Sequence, residues 1–262
     1  THGFDIVHSW QWSNDWTEAL AARLIGIKWM YTKKAMGFNK HWKIKSFLAN
    51  FIVTINDEMK EYFPNKNAQK LIPIGIDTDY YSTKDFEKKS SHKFKIITVA
   101  NLVPVKGIEV LLHAIHKLND PEISLEVLGD HSNEYGTEMQ QLSQTLGISN
   151  QVIFHGKKLD VRPYIVQSDM YVIPTLNQGR KEGMPMALVE AMCMGIPLLG
   201  SDITGINFVL KEFQELLFSA GNSDELSQKI HYLKSLDSQE RQQIGQNLRQ
   251  YCMDHFSMQT FS

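Results

Sequence analysis

The chain has 262 residues, 42% hydrophobic and 21% charged, with a net charge of −2. That is enough chain for one large or two ordinary globular domains, and the near-neutral balance excludes the basic footprint of a nucleic-acid binder. Cys193 and Cys252 stand apart with no metal-ligand spacing, which reads as reduced thiols in a cytoplasmic protein, and no apolar run approaches the roughly 20 residues of a membrane span.

In chain order, Phe4-Asp5-Ile6-Val7-His8 reads as a strand, and Asn14 or Asp15 caps a helix carrying Ala19, Leu20, Ala22 and Leu24. A strand at 26–31, a helix around 42–50, a strand at 51–55 and a short helix at 58–62, capped by Asn56 or Asp57, follow. Residues 70–77 form a strand running into a turn. The alternation implies a parallel sheet. Thr83 to Lys93 is polar and unpatterned, so the domain boundary is expected there, with 1–83 as the first domain, 84–93 as the linker and 94–262 as the second domain. The second half repeats the alternation. Strands are expected at 95–100, 123–128, 151–154, 169–173, 196–199 and 216–219, and helices at 108–118, 134–146, 161–167, 186–194, 224–236 and 239–254.

One stretch organises the rest. Pro174 to Gly205 reads PTLNQGRKEGMPMALVEAMCMGIPLLGSDITG, a loop at the carboxyl end of a strand followed by a helix and another strand. Ligands of open α/β sheets bind at such loops. Pro185 suits the first helical position, where its missing N–H costs nothing, and Gly195 ends the helix. Glu182 precedes the free amides of the helix start, which favour a negative or hydroxyl-rich ligand. Glu190 lies more than a turn further in. The two acids therefore cannot be adjacent ligands of one small ion, but they can hold two parts of an extended ligand. The plainer alternative is a loop carboxylate and an acid that complements the helix dipole. Earlier, Asn101 to Gly107 (NLVPVKG) sets a lysine and a glycine between a strand and a helix, where a phosphate can be met. It is not GxGxxG, which argues against a dinucleotide oxidoreductase.

The run E-G-M-P-x-A-L-V-E-A-M-x-x-G-x-P-L-L-x-S-D resembles the signature of the retaining glycosyltransferases of family 4, which have the GT-B fold. The resemblance implies an α/β protein of two Rossmann-like domains facing a cleft, with the nucleotide sugar on the second. By position, Glu182 contacts the donor sugar, the amides of Gly183 and Met184 bind its hydroxyls, and Glu190 holds the ribose. NLVPVKG resembles the family's G-R-L-V-P-x-K-G, whose Arg and Lys bind the donor pyrophosphate. Lys106 matches the Lys and Asn101 replaces the Arg, so Arg180 or Lys181 is a candidate to supply the missing cation; both otherwise read as solvated loop charges. D-I-V-H-S-W resembles D-x-V-H-x-H. His8 keeps the first His, either as a catalytic-site residue or as a buried strand-end histidine satisfied by backbone. Trp10 stands where the second His reaches the donor sugar. P-I-G-I-D resembles the P-N-G-I-D that precedes the family's domain linker. The family's earlier strands and its glycine-rich loop are not matched, which implies an incomplete first domain. No metal and no cofactor beyond the nucleotide-sugar substrate are implied.

Between Ala19 and Asn56 there is no acid and there are seven basic residues, Arg23, Lys28, Lys33, Lys34, Lys40, Lys43 and Lys45, interleaved with Trp29, Tyr31, Phe38 and Trp42. This reads as a solvated basic face, or as a contact for an anionic membrane or acceptor at the inner face of the membrane, where Trp29 and Trp42 would settle at headgroup level. No nucleic-acid motif accompanies it. The expectation is a retaining glycosyltransferase acting on a glycan or lipid-linked acceptor in cell-envelope or polysaccharide biosynthesis. The alternatives are a non-catalytic nucleotide-sugar-binding chain and a GT-B sugar-nucleotide epimerase.

Overall fold

The computed structural model of the chain describes residues 3–179 and 182–261. They fall into two compact units. Residues to Ile74 together with 182–184 make the first, and Gly75–Gly179 with 185–261 make the second. The chain thus passes into the second unit upstream of the polar 83–93 stretch. The reason lies in backbone pairing: Ile76 N–H donates to Phe256 O (2.7 Å), and Met258 N–H donates to Ile76 O (3.0 Å).

In the first unit, β1 (Ile6–Ser9), α1 (Thr17–Leu24), β2 (Lys28–Lys33), α2 (Lys40–Leu48), β3 (Phe51–Thr54), a 3-10 turn at Glu58–Tyr62 and β4 (Gln69–Leu71) follow in order. The sheet is parallel in the order β1-β2-β3-β4. β4 is shorter than expected: Ile72 N–H still donates to Thr54 O (2.9 Å), but Ile74 N–H, the next donor on that side, meets Met184 Sδ (3.3 Å). Asn39 caps α2 by accepting from His41 N (3.1 Å) and Trp42 N (3.3 Å).

The expected membrane-facing aromatics are core. Trp29 and Tyr31 are each 1% exposed and Trp42 is 6% exposed; together with Ile52 and Phe63 they build the unit's centre. Two of the seven basic residues are buried with them. Lys33 Nζ lies 3.9 Å from the Trp42 ring centroid and donates to Gly37 O (2.7 Å). Lys45 Nζ donates to Ser13 O (2.9 Å) among the rings of Trp29, Tyr31 and Trp42. Burial lowers the pKa of Lys45. The alternation of lysine and aromatic residues is therefore packing, with aromatic faces and carbonyl oxygens serving the buried ammonium groups.

In the second unit, β5 (Phe94–Val99), α3 (Ile108–Leu118), β6 (Ile123–Leu128), α4 (Glu134–Thr145), β7 (Val152–Gly156), α5 (Arg162–Val166), β8 (Met170–Ile173), α6 (Met186–Cys193), β9 (Leu198–Ser201), α7 (Thr204–Val209), β10 (Leu217–Phe218), α8 (Ser223–Ser235) and α9 (Ser238–Phe256) follow. α7, six residues without a side-chain cap, is not legible in the sequence. α3 buries Ile108, Leu111, Leu112 and Ile115 as its stripe requires, and α9 starts on a capping box of Asp237 and Glu240. The sheet is wholly parallel in the order β10-β9-β8-β5-β6-β7. Strands build outward in one direction from β5 and in the other from β8. The order therefore reverses between these two, and the loops leaving their carboxyl ends flank a topological switch point.

Candidate active site

The first wall of the site is the turn after β5. Asn101 is exposed there, and Lys106 is half-buried in a 3-10 turn, Pro104–Lys106, whose backbone closes through Lys106 N–H to Val103 O (2.8 Å). Gly107 follows with φ +62°. A Cβ there would lie 2.2 Å from Pro174 O, on the loop leaving β8. The two loops are joined by Leu176 N–H donating to Val105 O (2.8 Å). Glycine is thus required twice over, by its left-handed backbone and by the approach of the neighbouring strand end, and Lys106 is thereby fixed beside the loop after β8. In that loop the Thr175 hydroxyl is buried and, among the described residues, has no hydrogen-bond partner.

The second wall is α6. Pro185 takes the N-cap position, with extended ψ 103° and no side-chain cap, so the amides that open the helix are not met by a capping side chain. Glu190 lies on this helix and is half-buried. Burial raises its pKa, and the neighbouring Tyr81 hydroxyl opposes the rise. Tyr81 carries no signal in the sequence. It sits in the turn after Asp77, whose Oδ1 accepts from Asp79 N (3.1 Å) and Tyr80 N (3.0 Å).

The remaining residues belong to the first unit. The Gly183 carbonyl accepts from Asn56 Nδ2 (2.6 Å), and Asn56 Oδ1 accepts from Met59 N (3.0 Å). A Cβ on Gly183 would lie 2.2 Å from Lys34 O, so packing alone demands this glycine. Met184 is buried and its Sδ meets Ile74 N (3.3 Å). Glu182, one residue before this anchor, is half-buried. Asn56 thus anchors Gly183 within the first unit, whereas the sequence pattern presents it only as a helix cap. His8 is exposed, not buried, and its Nε2 meets the Thr32 hydroxyl (2.9 Å) and not backbone. Partial desolvation lowers its pKa. The ring of Trp10, 5.4 Å away, covers one side of it, and Lys34 Nζ lies over Trp10 and Trp12. Arg180 and Lys181 lie outside the described residues. Among the described residues no three His, Cys, Asp or Glu side chains converge to hold a metal ion, and no helix is long and apolar enough to cross a membrane.

Residues 82–251, more than half of the chain, match the family model described as glycosyl transferases group 1. An MMP alpha-(1->4)-mannosyltransferase of Mycolicibacterium hassiacum is 26% identical over 252 residues, covering 94% of this chain and 57% of that protein. A UDP-Gal:alpha-D-GlcNAc-diphosphoundecaprenol alpha-1,3-galactosyltransferase of Escherichia coli is 24% identical over 254 residues, covering 84% and 64%. The chain therefore spans somewhat over half the length of these curated relatives. Among solved structures, Anabaena Alr3699/HepE in complex with UDP superposes with a TM-score of 0.84 at 19% identity, over 98% of this chain and 76% of that one. At that identity the likeness speaks for the fold alone, an α/β fold of the GT-B type. With the switch-point loops, the glycine-fixed lysine and the acid-bearing α6 all inside the matched region, the chain belongs to the glycosyl transferases group 1.

Proposed function

We propose that the chain binds a nucleotide sugar at the switch point of its second unit and serves a retaining glycosyl transfer to a glycan or lipid-linked acceptor in cell-envelope or polysaccharide biosynthesis. One observation carries the reading. The turn bearing Lys106 and the loop after β8, which leads to α6 and Glu190, are locked together by the Gly107 contact and the Val105–Leu176 hydrogen bond. In this reading Lys106, with Asn101 beside it, meets the diphosphate as a point charge. Glu190 accepts from the ribose hydroxyls. Glu182 and the amides of Gly183 and Met184 serve the donor sugar, and His8 lies on the acceptor side. As the glycosidic bond breaks, negative charge grows on the departing diphosphate, and Lys106 with the open amides of α6 stabilises it. The Escherichia coli relative is named for a UDP-Gal donor and a diphosphoundecaprenol-linked acceptor, and the Anabaena structure holds UDP. Both names support a uridine nucleotide as the first donor to test.

The acceptor side of the proposal includes a peripheral contact with an anionic bilayer from the cytoplasm, but not through the aromatics expected from the sequence. Leu24 (78% exposed), Ile25 (72%) and Phe47 (76%) project from the ends of α1 and α2. Arg23 ties these ends together by donating to Phe47 O (3.4 Å), and Lys28, Lys40 and Lys43 are exposed. Apolar tips among cations suit a headgroup boundary. A thermal-shift screen of UDP-, GDP- and other nucleotide sugars, followed by NMR assignment of the product anomer, tests the reading. Stabilisation by one nucleotide class and a product with the donor's anomeric configuration are expected. No stabilisation by any nucleotide sugar refutes donor binding, and an inverted product refutes retention.

A further inference from the structure

We propose that Asn133 and Tyr135, at the start of α4, are positioning residues for Lys106: they hold the two ends of the turn that carries it, so that its ammonium is placed before a diphosphate arrives. This role rests on the nucleotide-sugar reading of Lys106 and goes beyond it, since both residues lie outside the NLVPVKG turn and outside the 174–205 stretch.

Asn133 Nδ2 donates to Leu102 O (2.9 Å) at the upstream end of the turn, and Ile108 N–H donates to the Tyr135 hydroxyl (2.9 Å) at the downstream end. Between them Leu176 N–H donates to Val105 O (2.8 Å). The turn is thus held from outside at Leu102, Val105 and Ile108, with Lys106 inside the span. The Tyr135 hydroxyl in its turn donates to the Glu109 carboxylate, which fixes the hydroxyl and leaves its oxygen to accept from Ile108. Asn133 has two duties: its Oδ1 caps α4 by accepting from Gly136 N (2.8 Å), and its Nδ2 is the group that reaches Leu102. The anchor itself is firm. Gly129, just after β6, approaches the end of β5 so closely that a Cβ would lie 1.8 Å from Ala100 O, and a Cβ on Gly136 would lie 2.4 Å from His131 O. The start of α4 is therefore packed onto the strand end from which the Lys106 turn springs.

A lysine on a loose turn must lose backbone as well as side-chain freedom when it meets a ligand, and a turn fixed beforehand removes the backbone part of that cost. The Ile108 amide is also the first of α3. With the Tyr135 hydroxyl on it, that amide is closed to a phosphate, so on this turn the Lys106 side chain carries the recognition of charge. Its placement then decides the strength of the contact.

The test is a double-mutant cycle. Asn133→Ser keeps a good N-cap and loses the reach to Leu102, and Tyr135→Phe keeps the ring and loses the hydroxyl. Each is made in the wild type and in Lys106→Ala, and calorimetry well below the melting temperature measures UDP, GDP and the matching nucleosides. In the wild-type background each substitution should weaken the diphosphate that binds about fivefold and its nucleoside less than about twofold. In the Lys106→Ala background neither should weaken the diphosphate by more than about twofold, because no ammonium remains to be positioned. Thr137→Val removes a hydrogen bond at the same helix start (Thr137 Oγ1 to Asn133 O, 3.1 Å) and should leave both affinities alone. Equal losses in the two backgrounds, or no loss in the wild type, overturn the role and leave both residues to the fold. Amide exchange at 105–108 in the unliganded proteins tests the hold by itself: it should quicken in both variants, and unchanged exchange overturns the proposal whatever the nucleotide does. If exchange quickens but the wild type binds neither UDP nor GDP, the hold on the turn stands, while the nucleotide reading fails and the positioning role fails with it.

Discussion

Replacing Gly107 by alanine tests whether the switch-point loops form one device. The residue has φ +62°, and its new Cβ would stand 2.2 Å from Pro174 O and 3.1 Å from Leu176 Cγ. The left-handed backbone costs an L-residue about 1–2 kcal/mol. Relieving the contact requires the loop after β8 to retreat, which breaks the 2.8 Å Leu176–Val105 hydrogen bond at about 1 kcal/mol more. A total of roughly 2–3 kcal/mol corresponds to a melting-point drop of about 4–12 °C for a unit of this size. Scanning calorimetry measures that drop, and titration of UDP or GDP against the corresponding nucleoside measures the second consequence. Because Lys106 is the residue before the glycine, the diphosphate should lose more affinity than the nucleoside. An alanine variant that melts within about 1 °C of the wild type and binds both ligands unchanged would refute the coupling of the two loops.

Further outcomes follow from the same structure. Lys106→Ala should weaken a nucleoside diphosphate at least tenfold and leave the nucleoside nearly untouched, since the role proposed for the ammonium is to meet phosphate charge; equal weakening of both would assign Lys106 to the fold. Asn56→Ala strands the Gly183 carbonyl and the Met59 amide, both bonded at 3.0 Å or less, and should cost about 1–3 kcal/mol for each, with faster amide exchange at 182–184 than elsewhere in the first unit. Burial lowers the Lys45 pKa, so unfolding takes up a proton at alkaline pH, and stability rises as pH climbs through the lowered folded value toward the usual lysine value of about 10.4. Lys45→Met should abolish that alkaline rise and melt no lower than the wild type at pH 7; a variant that keeps the alkaline rise would locate it elsewhere. Replacing Lys40 and Lys43 by Glu should remove co-sedimentation with anionic vesicles while binding to zwitterionic ones stays absent, and equal behaviour with both vesicle types would leave a merely solvated face.

The parallel alternation, the stop at Gly195 and the place of the NLVPVKG turn can be read from the sequence because each has a short-range cause: side-chain period, a left-handed glycine, a strand end meeting a helix start. The buried lysines cannot. Alternating Lys with Trp and Tyr looks like an exposed basic face, and only the packed rings of Trp29, Tyr31 and Trp42 reveal that the ammonium groups of Lys33 and Lys45 point inward. Gly183 stands out in the sequence for its place in the motif, whereas its packing against Lys34 O comes from a distant segment. Asn56, Tyr81 and Arg249 give no signal for the same reason. Arg249 bonds Tyr81 across 168 residues and Asn56 bonds Gly183 across 127, and no local pattern reports such a partner.

The central claim, that Glu190 on α6 holds the ribose of a nucleotide sugar, is tested most directly by titrating UDP and GDP into the wild type and into Glu190→Ala. A charged acceptor lost from a hydroxyl contributes roughly 1.5–3 kcal/mol, so the nucleotide that binds the wild type should bind the variant about 10- to 150-fold more weakly, with the circular dichroism of both proteins alike. Equal affinity in the two folded proteins would contradict the claim and remove Glu190 from the site.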